Sequence, residues 1–231
     1  MRAALHGLPG VPRVTIGQGA AWRWQGRSWL LLATGIGPIN AAWCLGRTLG
    51  ENRRLRGVLN LGIAGSFHLD LFPPGTQVIV EEEIWPEFGL RTEKGLEAKG
   101  LGYAHGKVNG RLVWDRLRLD PEEGAGQMGL AVPRSWPRVS SLSVSGATGW
   151  LAEAERLCRT YGADVENMEG FALAWACLQE GLPFLEVRTI SNQVGSRSKE
   201  DWDFPRAFAA LGRAFRRLHP GQGTKGDATD T

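Results

Sequence analysis

Histidine and cysteine are the side chains of this sequence best suited to metal binding, and both are few. The four histidines and three cysteines of the 231-residue chain never occur at the spacing of metal ligands, and no CxxC pair is present. The odd number and wide separation of Cys44, Cys158 and Cys177 also argue against a disulfide framework. We therefore expect no metal, no cofactor and a reducing, cytoplasmic environment.

Two glycine-containing segments have spacings that invite a catalytic interpretation. Residues 35–37 (GIG) follow an apolar run, but Asn40 occupies the third glycine position of a dinucleotide fingerprint, and no acidic residue lies about 20 positions further on. Ser145 lies in a segment that resembles half of a nucleophile elbow, without an adjacent histidine as base. We predict a tight turn into a packed helix at the first segment, and no acyl transfer at the second.

Residues 81–83 (EEE) continue directly from an apolar strand. Successive strand side chains point to opposite faces, so one of these glutamates could face a site while its neighbours meet water. We interpret the triplet as a solvated strand end and keep the other interpretation as the alternative.

Four short motifs carry polar residues at the ends of apolar segments. They are residues 60–65 (NLGIAG), 144–146 (VSG), 163–170 (ADVENMEG) and 185–192 (LEVRTISN). Together, and in this order, they resemble the nucleoside phosphorylase and nucleosidase superfamily, over most of the chain from residue 28 to 218. Residues 190–192 and the following 197–203 (RSKEDWD) are most similar to the futalosine hydrolase branch. The resemblance implies hydrolysis of the N-glycosidic bond of a purine nucleoside, with release of hypoxanthine in menaquinone biosynthesis.

The resemblance implies that Glu169 and Met168 bind the ribose. Cleavage of a ribosyl C–N bond passes through an oxocarbenium-like sugar, and a carboxylate can accept hydrogen bonds from both ribose hydroxyls while opposing the positive charge. The alternative for Glu169 is an acidic residue that stabilises the helix dipole. For Met168 the alternative is ordinary core packing.

Asn192 stands where adenine-cleaving relatives place an aspartate, and the resemblance makes it the catalytic residue at the base. An amide offers both an acceptor and donors, so it can face N7–H and a 6-oxo oxygen together, whereas an ionised carboxylate only accepts. A 6-oxopurine such as hypoxanthine therefore fits better than adenine. The alternative is a capping residue after the strand. Ser191 is assigned to the same substrate site, and Arg188 is expected to hold Glu169 or Ser191, or to form a structural salt bridge.

The loop after the second expected strand indicates whether phosphate or water is the nucleophile. Hexameric phosphorylases of the superfamily carry Arg and Ser there for phosphate, whereas this chain has Asn60 and Ile63, which make a poor anion site. Water is therefore the expected nucleophile. The resemblance also assigns Ala64, Gly65 and Trp150 to substrate binding.

One element of the superfamily is not found in the sequence. Members open with a strand and a loop bearing a glutamate that activates the water, whereas residues 1–5 look like the helix that follows that loop. Either the chain as given starts at an internal Met, or it is a degenerate member. Loss of a central strand would leave unpaired backbone in the sheet.

Apolar runs alternate with helical patterns, which predicts a single α/β domain with a central twisted mixed sheet flanked by helices. Strands are expected at residues 29–34, 58–61, 78–80, 139–144 and 184–190, with a glycine-rich loop at 62–66 and a polar loop at 191–203. Helices are expected after Pro38, over 147–161, from 168 to 178 and over 205–218. The domain spans residues 1–218, and 219–231 form a disordered tail.

Composition limits the partners. With 27 basic and 24 acidic residues the net charge is only +3, so nucleic acid binding is not implied, and no apolar run approaches the length of a membrane span. We expect a small-molecule purine nucleoside as substrate and, from the resemblance, a homo-oligomer. Two alternatives stay open: a methylthioadenosine/adenosylhomocysteine-type nucleosidase, and a catalytically silent nucleoside-binding protein.

Overall fold

The computed structural model describes Leu5 and residues 8–219. Its strands are β1 (Gly19–Trp24), β2 (Arg27–Leu32), β3 (Val58–Ser66), β4 (Gln77–Ile84), β5 (Leu90–Thr92), β6 (Gly95–Glu97), β7 (Gly106–Val108), β8 (Arg111–Val113), β9 (Arg116–Arg118), β10 (Arg138–Ser143), β11 (Val165–Asn167) and β12 (Phe184–Gln193). Its helices are α1 (Pro38–Glu51), α2 (Pro121–Gln127), α3 (Leu151–Tyr161), α4 (Gly170–Gln179) and α5 (Phe204–Arg217).

A six-stranded mixed sheet in the order β10-β11-β3-β12-β4-β9 forms the centre of the molecule. Strand β12 runs parallel to β3 and antiparallel to β4, while β10 pairs with both β11 and β4, so the sheet closes on itself. All of β12 except Gln193 is buried. The predicted α/β class with a central mixed sheet is confirmed.

Helices cover both faces of this sheet. Helix α1 begins at Pro38, whose fixed φ suits a first helical turn, and it packs against α4 on one face. Helix α5 packs against β12 and β3 on the other face. Its N-terminus is capped by Asp203, whose carboxylate accepts the backbone N–H of Arg206. The helix expected after Pro38 begins at that residue, and the helix expected over 205–218 is found at Phe204–Arg217.

Two of the expected strand and loop assignments were wrong, and one strand lies outside the central sheet. The strand expected at residues 29–34 is found as β2, but β2 forms a separate antiparallel hairpin with β1. Residues 62–66 are not a loop, since β3 continues to Ser66 alongside β12. The polar loop expected from residue 191 begins later, because β12 continues through a bulge to Gln193. The helix expected from residue 147 begins at Leu151.

The two ends of the expected domain are only partly described. The helix expected over residues 1–5 lies outside the described residues except for Leu5, which is buried in a turn. His219 was expected to open the tail, but its ring packs against Trp24, Trp29 and Phe215. The rest of the tail, 220–231, lies outside the described residues. Across the described part of the chain, the helices are too short or too polar to cross a bilayer.

Candidate active site

Glu169 lies between β11 and the first turn of α4, at the N-cap position of the helix. Its Oε1 accepts the backbone N–H of Gly37 at 3.0 Å, and its Oε2 lies 3.5 Å from Nη1 of Arg188. Gly37 precedes α1 with φ near 90°, a conformation that favours glycine. The turn at residues 35–37 thus leads into a packed helix, as expected, and it also presents an N–H to the carboxylate.

Arg188 is buried in β12 and spreads its guanidinium over four acceptors. Its Nε donates to Glu186 at 2.7 Å, Nη2 donates to Oδ1 of Asn167 at 3.2 Å, and Nη1 donates to the carbonyl of Ile63 at 3.3 Å. Nη1 is also the atom that faces Glu169. Of the two partners expected for Arg188, the structure provides Glu169, not Ser191.

Because Gly62 has no side chain, the guanidinium of Arg188 can occupy the space above it. Gly62 pairs with Arg188 across β3 and β12, and a Cβ at this position would lie 2.9 Å from the guanidinium carbon and closer still to Nη1. A side chain at residue 62 and this Arg188 conformation are therefore mutually exclusive. This explains why a glycine that reads as a loop residue lies inside a central strand.

Asn167 organises the N-terminus of α4, and sequence reasoning did not single it out. Its Oδ1 accepts the backbone N–H groups of Glu169 and Gly170 at 2.8 and 2.7 Å, and Ser143 Oγ accepts that of Phe171 at 2.7 Å. These bonds satisfy amides that a helix start leaves without intrahelical partners. Asparagine after a short strand and just before a helix is a capping signal that could have identified this residue.

Glu83 overturns the interpretation of residues 81–83 as a solvated strand end. Its side chain is fully buried, with Oε2 accepting from Ser143 Oγ at 2.6 Å and Oε1 accepting from Asn167 Nδ2 at 2.8 Å. Burial, reinforced by the neighbouring carboxyl of Glu186, raises the pKa of Glu83 well above its usual range. Burial also raises the pKa of Glu186, although Arg188 opposes that shift.

The N-terminus of α4 lies directly on these two carboxyl groups. A Cβ at Gly170 would lie 2.6 Å from Cδ of Glu83 and 2.7 Å from Oε1 of Glu186, so only glycine permits the approach. The glycine after Glu169 is thus what brings the helix, and Glu169 with it, onto the charged cluster.

Asn192 lies near the carboxyl end of β12, opposite Gly65 of β3. Its Oδ1 is 2.8 Å from the hydroxyl of Ser191, and its Nδ2 donates to the carbonyl of Gln193 at 2.9 Å. The Ser191 hydroxyl also lies 3.2 Å from the carbonyl oxygen of Ala64. Along β3, the step from Gly62, beside Arg188, to Gly65, beside Asn192, is three residues or about 10 Å.

The remaining residues predicted for the site are placed as follows. Met168 is half-buried against a hydrophobic cluster that includes Ile84 and Val144. Trp150 is 63% exposed at the start of α3. The loop before it is tied down by Glu166, which accepts both the N–H and the hydroxyl of Thr148 at 2.9 and 2.5 Å. That loop also meets the end of β12, because Gly195 N–H donates to Thr148 O at 3.3 Å.

A cavity of about 940 Å³ opens beside Glu169 and Arg188. It extends from these two side chains along β2 and β3. Six other residues predicted for the site do not line it: Ala64, Gly65, Trp150, Met168, Ser191 and Asn192. Asn60 and Ile63, at the positions compared with a phosphate site, both line it, and neither supplies a cation. Within residues 8–219, no three His, Cys, Asp or Glu side chains are grouped as a metal would require.

Comparison with known proteins shows the family to which this chain belongs. Residues 4–218 match the family model described as "Phosphorylase superfamily", and the chain belongs to that family. It is 36% identical to the futalosine hydrolase of Thermus thermophilus over 206 residues, which cover 86% of this chain and 84% of the relative.

Nucleosidases of a second kind are also similar. The chain is 31% identical to a 5'-methylthioadenosine/S-adenosylhomocysteine nucleosidase of Geobacillus kaustophilus, over 76% of this chain and 72% of the relative. The structure of the Neisseria meningitidis nucleosidase of that name, in complex with methylthio-immucillin-A, aligns with a TM-score of 0.71 at 20% identity, over 94% of each chain.

Proposed function

We propose that the protein is a hydrolytic nucleosidase that cleaves the N-glycosidic bond of futalosine and releases hypoxanthine, a step of menaquinone biosynthesis. The 36% identity to a futalosine hydrolase supports this substrate. The observation that carries the proposal is the Glu169 carboxylate, which is held by Gly37 and Arg188 and lines the end of the cavity.

Glu169 acts on the ribose in this proposal. Both of its contacts come from donors, a backbone N–H and a guanidinium, which hold the carboxylate in place. About 17% of its side chain remains exposed, so the carboxylate can still accept from sugar hydroxyls. A negative charge at this point opposes the positive charge that develops as the C–N bond breaks. Met168 packs against the same sugar.

Asn192 acts at the base, with Ser191 and the backbone around Ala64 and Gly65 forming its surroundings. The Ser191 hydroxyl and Gln193 carbonyl fix the orientation of the amide. This point and Arg188 are about 10 Å apart along β3, so in this proposal they act on different parts of the nucleoside. Trp150 covers the base from the neighbouring loop. Arg188 is a positioning residue, since it acts by holding Glu169.

Water is the nucleophile in this proposal. A phosphate-dependent reaction needs cations and N–H donors around an anion. At the two positions compared with a phosphate site this chain has Asn60 and Ile63, and the nearby Arg188 is already engaged by Glu186, Asn167 and Ile63. Adenine release by a methylthioadenosine-type enzyme remains the second candidate, because such a relative is 31% identical.

A homo-oligomer working in the cytoplasm also forms part of the proposal. Helix α1 and the turn before it expose Ile36, Ile39 and Trp43 at 73%, 84% and 57%, an apolar stripe at helical spacing. All three cysteines are free thiols. Sedimentation of the purified protein measures the assembly.

The test compares futalosine cleavage by the full gene product with that by its Glu169→Gln variant. We expect the variant to lose about 10²–10³-fold in kcat/KM, the typical effect of removing one electrostatic partner of the transition state. Its melting temperature should change little, because the amide keeps an acceptor for Gly37. Glu93→Gln, the same change at an exposed glutamate in the turn between β5 and β6, is the matched control. Binding of futalosine without turnover by the parent protein would instead favour a nucleoside-binding protein.

A further inference from the structure

The polar segment 194–203, between β12 and α5, folds back onto the end of β12. Trp202 forms an antiparallel β-bridge with Asn192. The backbone N–H of Asp203 donates to the carbonyl of Ser191 at 2.8 Å. The segment therefore lies against the residue that we propose acts at the base.

Arg197 lies where this segment meets the loop before α3. A Cβ added at Gly149 would lie 3.7 Å from Cγ and 3.9 Å from Nε of Arg197, so the arginine side chain crosses the backbone of Gly149, next to Trp150. The guanidinium carbon lies 6.0 Å from the ring centroid of Trp202, within reach of a cation–π contact. Nε1 of Trp202 in turn donates to the carbonyl of Ser196 at 3.2 Å. Two loops at the base end of the site thus place this cation.

The guanidinium of Arg197 is available to an acceptor. Among the described residues, no carboxylate forms an ion pair with it. Two acidic residues of the same segment have other partners, because Asp201 accepts from the Ser196 hydroxyl and Asp203 accepts the backbone N–H of Arg206 at 3.0 Å. The Arg197 side chain is exposed, and a guanidinium carries five N–H donors and no acceptor. Its chemistry therefore suits an oxygen acceptor on a ligand.

Asn192 alone cannot satisfy a 6-oxo oxygen. Its Nδ2 already donates one N–H to the carbonyl of Gln193 at 2.9 Å, which leaves one N–H for a ligand. A carbonyl oxygen has two lone pairs, so the 6-oxo oxygen of a purine can accept a second hydrogen bond. An exocyclic amino group at the same position would instead present its own N–H groups to the donors of a guanidinium.

We propose that Arg197 donates a hydrogen bond to the 6-oxo oxygen of the purine, as a second donor beside Asn192, an inference that rests on the function proposed above. As the C–N bond breaks, its electron pair stays with the base, and part of the negative charge collects on this oxygen. A cation at that point stabilises the departing base. Since a 6-aminopurine has no acceptor there, Arg197 also selects the 6-oxopurine.

The experiment compares the full gene product with its Arg197→Ala and Arg197→Lys variants. Calorimetry measures the Kd of free hypoxanthine and of free adenine, which requires no turnover. In parallel, kcat/KM is measured for futalosine and for inosine, a nucleoside with the same base. Arg118→Ala is the matched control, because the Arg118 side chain is 92% exposed on β9 and lies 3.8 Å from its partner Glu82.

We expect Arg197→Ala to weaken hypoxanthine binding by about 10- to 150-fold, the factor that one hydrogen bond from a charged group provides. Adenine binding should be unchanged, because adenine accepts nothing from Arg197 at this position. The value of kcat/KM should fall in parallel for futalosine and inosine. Arg197→Lys keeps a charged donor and should retain part of the hypoxanthine affinity. Arg118→Ala should match the parent in every measurement.

Three results would overturn the proposal. Equal weakening of hypoxanthine and adenine would mean that Arg197 only holds the segment in place. A loss of kcat/KM for futalosine, with inosine and hypoxanthine unaffected, would mean that Arg197 contacts the part of the substrate beyond the base. Unchanged hypoxanthine binding in Arg197→Ala would exclude the contact with the 6-oxo oxygen.

The role of Arg197 and the proposed reaction can fail separately. If the parent does not cleave futalosine but binds hypoxanthine, and Arg197→Ala weakens that binding selectively, the contact is supported and the reaction is refuted. A parent that binds neither base would refute the contact.

Discussion

Substitution of Gly62 by alanine tests whether Arg188 positions Glu169. The new Cβ would lie 2.9 Å from the guanidinium carbon, and carbon atoms pack at about 3.5–4.0 Å, so Arg188 must retreat by about 1 Å. Its contacts with Ile63 and Glu169, at 3.3 and 3.5 Å, are already at the limit of a hydrogen bond and would break.

The expected loss is measurable in both stability and rate. Losing one hydrogen bond to a charged group costs about 1.5–3 kcal/mol, and at about 2–4 °C per kcal/mol this lowers the melting temperature by about 3–12 °C. A misplacement of about 1 Å at a catalytic group lowers kcat/KM by about 10²-fold. Thermal melting and the release of hypoxanthine from futalosine measure the two effects.

Gly126→Ala is the matched control for this substitution. Gly126 is exposed within α2 and an added Cβ there meets nothing, so alanine should stabilise the protein by up to about 0.8–1 kcal/mol without changing the rate. If Gly62→Ala acts through the guanidinium, adding it to Arg188→Ala should cost little more than Arg188→Ala alone. Wild-type kcat/KM in Gly62→Ala, despite a lower melting temperature, would show that Arg188 is structural only.

Three further predictions address the base, the nucleophile and the buried carboxyls. The protein should prefer a 6-oxopurine over a 6-aminopurine by about 5- to 150-fold, from about 1–3 kcal/mol for an unpaired donor, and Asn192→Asp should shift kcat/KM toward the 6-aminopurine. Equal kcat/KM for futalosine and its 6-amino counterpart in the parent would mean that Asn192 does not read the base. Phosphate should leave the rate of base release unchanged, and a ribose-1-phosphate-type product would contradict hydrolysis. Above pH 4.5 the folded state keeps the Glu83 proton that the unfolded state releases, so stability falls as pH rises toward the raised pKa. The free energy of unfolding, measured with urea at pH 5 and pH 8, should differ less in Glu83→Gln than in the parent. An unchanged difference would show that another group causes the pH dependence.

The resemblance located the motifs, but the supporting contacts required the three-dimensional structure. Arg188 was expected to hold Glu169 or Ser191, and only the register of β12 against β3 brings it beside Gly62 and Glu169. Glu186 could have been found from the sequence, because in a strand it shares a face with Arg188, two residues away. Glu83 could not, since its burial depends on Asn167 and Gly170 from a distant part of the chain.

Glycine and turn residues explain why the extent of β3 and the β1–β2 hairpin were not predicted from the sequence. Residues 62–66 read as a loop because glycine is usually weak in strands, yet Gly62 is needed there for the Arg188 guanidinium. The β1–β2 hairpin was missed because its two-residue turn is Gln25-Gly26, with φ of 49° and 74°, where asparagine or aspartate is the usual signal.

The charge balance of the cluster explains why Glu83 and Glu186 accompany the carboxylate of Glu169, which we propose binds the ribose. One guanidinium faces three carboxyl groups, from Glu83, Glu186 and Glu169. Glu83 has no direct hydrogen bond from a cation in the described structure, since its partners are the neutral Ser143 and Asn167. Its raised pKa lets it hold a proton. That leaves Glu186 as the direct anchor of Arg188 Nε.

Asn167 links Glu83 to the N-terminus of α4. The same Asn167 that donates to Glu83 accepts the N–H groups of Glu169 and Gly170 through its other amide atom. A change in the protonation of Glu83 therefore acts on the residue that fixes the Glu169 backbone. Arg188, held by Glu186, fixes the Glu169 carboxylate from the other side. The proposed sugar-binding group is thus positioned by two buried carboxyls that never need to touch the substrate.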